Sequence, residues 1–82
     1  MNTPATNQLY GSIAAAQEAG LSLRQLYYWV EVLRVVTPRM QPHGKRTFRA
    51  FTRRDVQRLK AVKRLLARGY TLQAAARKVR AR

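Results

Sequence analysis

Apolar residues along this 82-residue chain fall into short blocks whose spacing changes from helical to alternating and back again. The run SIAAAQEA, from Ser12 to Ala19, is rich in helix-favouring alanine, with Ser12 expected as its N-cap and Gly20 as its stop. Ser22 and Gln25 then form a capping-box pattern, which starts a second helix running to about Leu33. At about 100° per residue, Leu26, Trp29, Val30 and Leu33 share one face, the expected core side. Arg24 and Tyr28 point away from it, Tyr27 sits on the flank and Glu31 lies further along. Two short helices joined by a tight turn containing glycine make the helix-turn-helix pattern.

After Leu33 the helical period is lost. VVTPRM is β-branched, QPHGK carries the turn signals Pro42 and Gly44, and RTFRAF follows with Phe48 and Phe51 as expected anchors. This predicts a two-stranded hairpin, a wing, with Lys45 and Arg46 near its tip. Thr52 and Asp55 repeat the capping box and open a long helix to about Arg68. Its apolar stripe is Val56, Leu59, Val62 and Leu66, with Arg53, Lys60, Arg64 and Arg68 opposite. Gly69 stops this helix, and Thr71 caps a last one whose apolar face is Leu72, Ala75, Ala76 and Val79. Residues 1–9, polar and containing Pro4, read as a disordered arm, leaving residues 10–82 as one domain. The expected fold class is mainly α, a winged helix-turn-helix with two further helices.

Charge narrows the function. Lys and Arg number 17 against 3 acidic residues, a formal net charge of +14. Residues 1–38 are balanced, Arg24 and Arg34 offsetting Glu18 and Glu31. The whole excess therefore lies in residues 39–82, where Asp55 is the one acid. So one-sided a charge on a small domain repels itself and points to a polyanionic partner. There is no cysteine and a single histidine, His43, so neither disulfides nor a thiolate or multi-histidine metal site is expected, and no cofactor. The same scarcity of acids, histidine and thiols leaves no acid-base or nucleophile constellation, so no enzyme is expected. No apolar run reaches the roughly 20 residues of a membrane span and MNTPATNQ lacks the features of a signal peptide, which makes the expected location the cytoplasm, on the nucleoid.

Three stretches carry a resemblance to a known family: GLSLRQLYYW (Gly20–Trp29), RAFTRRDVQRL (Arg49–Leu59) and GYTLQAAA (Gly69–Ala76). In this order and spacing the chain resembles, from about Tyr10 to Val79, the DNA-binding domain of the MerR family of bacterial regulators. The resemblance implies sequence-specific binding of double-stranded DNA by a transcriptional regulator. It is not complete. Tyr27 stands where the family commonly has a DNA-contacting arginine, and Leu33 where it commonly has a glycine. Family members usually continue into a dimerisation helix and an effector-binding domain, so a short form without a sensor is expected here.

The outward residues at the start of the second helix, Ser22, Arg24, Gln25, Tyr27 and Tyr28, are the expected readers of the major groove. Arg24 leads, because its guanidinium fork matches the two acceptors of guanine. The wing adds Arg39, His43, Lys45, Arg46 and Arg49 toward backbone or minor groove, and Arg53 joins from the long helix. Two other readings remain open at this point: an architectural DNA-binding protein of excisionase type, and an RNA- or ribosome-binding protein. The expected assembly is a monomer in solution that gathers in several copies on DNA, because one small domain reads too few base pairs for a specific site. No membrane partner is expected.

Overall fold

The computed structural model describes residues 9–81, without the side chain of His43. The chain order is β1 (Leu9–Tyr10), α1 (Ser12–Ala19), α2 (Leu23–Glu31), β2 (Arg39–His43), β3 (Arg46–Thr52), α3 (Arg53–Ala67) and α4 (Leu72–Arg80). Of the expected N-terminal arm, residues 1–8 lie outside the described part. Leu9 belongs to β1 and pairs with Thr52.

Both expected capping boxes are formed. The Ser22 hydroxyl accepts from the Gln25 N–H at 3.0 Å while the Gln25 side chain accepts from the Ser22 N–H at 3.0 Å. Thr52 and Asp55 repeat the exchange at 3.1 and 3.0 Å, and the Thr71 hydroxyl accepts from the Ala74 N–H. The first helix differs from expectation: Gly11, not Ser12, is the N-cap, with no side-chain bond. Its other end is closed at Gly20, which has φ +74°, with Gly20 N–H donating to the Gln17 carbonyl and Leu21 N–H to that of Ala16. A side chain at Gly20 would be strained by that angle and would also crowd the Lys63 ammonium at 3.1 Å.

α2 ends on a harder turn. Val32, Leu33 and Val35 N–H groups reach back to the carbonyls of Tyr28, Tyr28 and Trp29, and Arg34 takes up φ +54°. The left-handed residue is thus Arg34, one position beyond Leu33, which stays in the core. A left-handed residue with a Cβ costs about 1–2 kcal/mol. We expect Arg34→Gly to stabilise the domain by about 1 kcal/mol, seen as a higher urea midpoint. A lower midpoint would show that the Arg34 side chain contributes more than its backbone costs.

The sheet has the order β1-β3-β2, all antiparallel, so the wing expected with two strands has a third. β2 covers β3 from Arg46 to Ala50, and β1 takes up the remaining end at Phe51 and Thr52. Gly44 and Lys45 make the two-residue hairpin turn. Gly44 has φ +66° and Lys45 does not share a positive φ, the combination of a type II′ turn. Side chains alternate across β3, so Phe48 and Phe51, three residues apart, face opposite sides. Phe51 is fully buried, whereas Phe48 is 46% exposed and is not the anchor expected of it.

The core lies between the helices and the inner face of β3. Leu26, Trp29 and Val30 enter it from the second helix, as their spacing predicts, Leu33 from the turn just beyond, since the helix ends at Glu31 rather than near Leu33, and Val56, Leu59 and Val62 from α3. Leu65 is buried where Leu66 was expected, with Leu66 packed at the edge. Val35 and Val36 reach the core from the loop before β2 rather than from a strand. Much of the remaining interior is alanine: Ala15, Ala16 and Ala19 from α1, Ala50 from β3, Ala61 from α3, and Ala75 and Ala76 from α4. Small side chains at facing positions let these short helices approach closely.

Candidate nucleic-acid interface

The helix-turn-helix is held from outside by two cations of the later helices. The Lys63 ammonium donates to the Gly20 carbonyl at 2.8 Å, closing the C-terminal end of α1. The Arg80 guanidinium donates to the Leu33 carbonyl beyond the end of α2. Lys63 satisfies the carbonyl of the α1 C-cap residue, Arg80 that of the turn following α2, and both place positive charge near the negative end of a helix dipole.

With its inner face buried, α2 presents Ser22, Leu23, Arg24, Gln25, Tyr27 and Tyr28 to solvent. Tyr27 and Tyr28 are 41% and 46% exposed, so neither pads the core as Trp29 does at 2%. Ser22 and Gln25 are fixed by their mutual cap. Because the Gln25 oxygen is spent on that cap, the free end of its amide is the NH2 donor pair. Arg24 makes no hydrogen bond or ion pair to any described residue, and its fork is open to a ligand.

Arg49 is placed differently from the other wing cations. It shares the inner face of β3 with Phe51, by alternation, and that face looks toward the helices. There it forms an ion pair with Glu31, and its guanidinium lies over the Tyr27 ring, 5.2 Å from the centroid. Tyr27 and Glu31 are one helical turn apart, so Arg49 clamps two side chains of the same exposed face. The clamp ties wing to reading helix. Its energy as a half-exposed pair is small, about 0.2–1 kcal/mol, but it fixes the direction of Tyr27 and masks the acid on that face.

The other expected contacts spread around this centre. Lys45 and Arg46 are exposed at the wing tip, Arg39 is exposed at the start of β2, and Arg53 is exposed at the first position of α3. His43 ends β2, opposite Arg46, and its side chain lies outside the described part. Sequence reasoning missed Glu31 as the partner of Arg49, and Lys63 and Arg80 as helix closers. All three pairings cross between elements, over separations of 18, 43 and 47 residues, where periodicity carries no signal.

A capped helix-turn-helix, a hairpin wing clamped to its second helix and a surplus of unpaired cations define a winged helix-turn-helix domain. A family model described as "MerR HTH family regulatory protein" matches residues 11–82. The chain belongs to the MerR HTH family. Among solved structures it is similar to HiNmlR, a MerR family regulator lacking the sensor domain, in a crystal structure with promoter DNA. The two share 24% sequence identity with a TM-score of 0.66, over 88% of this chain. The match spans 52% of that chain, about half its length, and establishes the shared fold. No curated protein sequence matches the chain. Among the described residues, no helix is long and apolar enough to cross a membrane, and no group of three His, Cys, Asp or Glu side chains is placed to hold a metal.

Proposed function

We propose that this domain binds double-stranded DNA in a sequence-dependent way and acts in transcriptional regulation of MerR type. The observation that carries this reading is the exposed face of α2, where Arg24, Tyr27 and Tyr28 stand beside a wing bearing Lys45 and Arg46. In this arrangement α2 enters the major groove with Arg24 aimed at a guanine edge, Tyr28 packs on sugar or thymine methyl, and the wing tip holds the backbone. Tyr27, held by Arg49, presents its hydroxyl from a fixed direction. Ser22, Gln25, Arg39, His43 and Arg53 extend the contact around this centre. The net charge of +14 keeps copies apart in free solution, and phosphates neutralise it on DNA, so the domain is a monomer alone and assembles in several copies on its site.

Salt dependence tests the reading directly. Contact with about six phosphates gives a log-log slope of affinity against salt near −5, and a slope shallower than about −2 would overturn it. In the same titrations Arg24→Ala should relax base preference by about 1–3 kcal/mol, while Lys45→Ala or Arg46→Ala weakens binding to all sequences alike. A neutral Arg24→Ala would remove α2 from the role of reader.

A further inference from the structure

The long helix carries more positive charge than a helix of its length tolerates without cause. α3 bears Arg53, Arg54, Arg58, Lys60, Lys63 and Arg64, with Arg68 at its C-cap, and its one acid, Asp55, is spent on the Thr52 cap. Arg54 and Arg58, Lys60 and Arg64, and Arg64 and Arg68 are like-charged pairs one turn apart, each of which destabilises a helix. Arg53 and Arg54 also stand at the positive end of the dipole. A sequence that breaks local rules this often in one place marks a functional surface.

Part of this charge surrounds a cleft. Arg54, Gln57, Arg58 and Arg64 line an open cavity of about 230 Å³. Arg58 is half-buried there, and none of the three arginines has a hydrogen bond or ion pair to a described residue. The other side of α3 is committed, since Lys63 reaches the Gly20 carbonyl at the turn between α1 and α2. At about 100° per residue, Arg54 lies about 180° round the helix from Lys63, and Gln57, Arg58 and Arg64 lie about 100–140° from it. The cleft therefore opens away from the turn that carries the reading helix. Along the axis, Arg54 and Arg64 are separated by about 15 Å.

We infer that the Arg54–Gln57–Arg58–Arg64 cleft is a second phosphate-binding surface, which grips the backbone of a second DNA duplex while α2 and the wing hold the first. The inference rests on the DNA-binding reading above and adds bridging to it. Guanidinium forks suit phosphate oxygens, the Gln57 amide adds a neutral donor, and bound phosphates relieve the repulsion among the three arginines. The contact is to backbone alone and carries no sequence preference.

The test is sequential capture. Wild-type protein is loaded on an immobilised mixed-sequence duplex, unbound protein is washed away, and a labelled duplex of unrelated sequence is added. Wild type should capture the second duplex. The triple variant R54Q/R58Q/R64Q should load on the first duplex within about threefold of wild type and capture at least about tenfold less of the second. Glutamine has nearly the helix propensity of arginine, so the variant keeps its fold, and loss of repulsion should leave its melting temperature equal or higher. A lowered melting temperature would assign these arginines a structural role and overturn the inference. Equal capture by the variant, or no capture by loaded wild type, would overturn bridging and leave the first reading intact. A loss of loading on the first duplex would place the cleft on that duplex instead. Failure of wild type to load at all would overturn both.

Discussion

Phe51→Ala is expected to remove about 3–5 kcal/mol of stability and with it the cooperative thermal transition of the domain. Phe51 is fully buried on the inner face of β3, and its backbone pairs with Tyr10 of β1. At about 0.05–0.15 kcal/mol per residue, a chain of 82 residues has roughly 4–12 kcal/mol in total, so this loss consumes much of it. Phe48→Ala, in the same strand, should cost distinctly less because almost half of that ring is already in solvent. Circular dichroism melts of the two variants decide the matter. Equal losses would mean that the sheet, rather than the packing of Phe51 on the helices, is what the phenylalanines sustain.

The second large effect concerns Arg49, and its sign separates a clamp from a simple phosphate contact. Arg49→Ala should weaken binding to duplex DNA about tenfold, because it removes a cation, unmasks the Glu31 carboxylate beside the phosphates and frees the Tyr27 ring. Glu31→Gln does the opposite. It releases Arg49 to the backbone, so affinity should rise several-fold at low salt while discrimination between sequences falls. The double variant E31Q/R49A should recover most of the affinity lost by Arg49→Ala. Fluorescence anisotropy at a fixed salt concentration measures all three. If Glu31→Gln also weakened binding, the pair would be required intact for the orientation of α2, and masking would not be its role.

What could be read from the sequence was what is settled within one element. The two capping boxes bond residues three apart, and the core face of the second helix is fixed by spacing alone, so Ser22, Gln25, Thr52, Asp55, Leu26, Trp29 and Val30 stand where expected. The exposure of Arg24 and Tyr28 follows from the same wheel. Features settled between elements were not legible. β1 is two residues long, too short for alternation to show, and is defined only by its pairing with β3 at Phe51 and Thr52. Val35 and Val36 look like a strand by composition, yet a loop carries them into the core. The expectation for Phe48 failed on parity, since residues three apart in a strand cannot anchor one face. Arg49 reads as one more wing cation until the sheet places it on the same side as Phe51, against α2.

The alanine interior has a consequence for how this domain can change. At Ala15, Ala16, Ala19, Ala61, Ala75 and Ala76 there is almost nothing to truncate, and each is almost fully buried, so an added methylene group has to displace packed neighbours. Overpacking at such sites costs about 1–3 kcal/mol, a large share of what a chain of this size possesses. Enlarging buried side chains, a common route to a sturdier core, is therefore closed along these helix contacts. Drift in the sequence is channelled outward, to the charged surface and the turns, so that the face offered to nucleic acid is free to diversify while the frame beneath it stays nearly fixed.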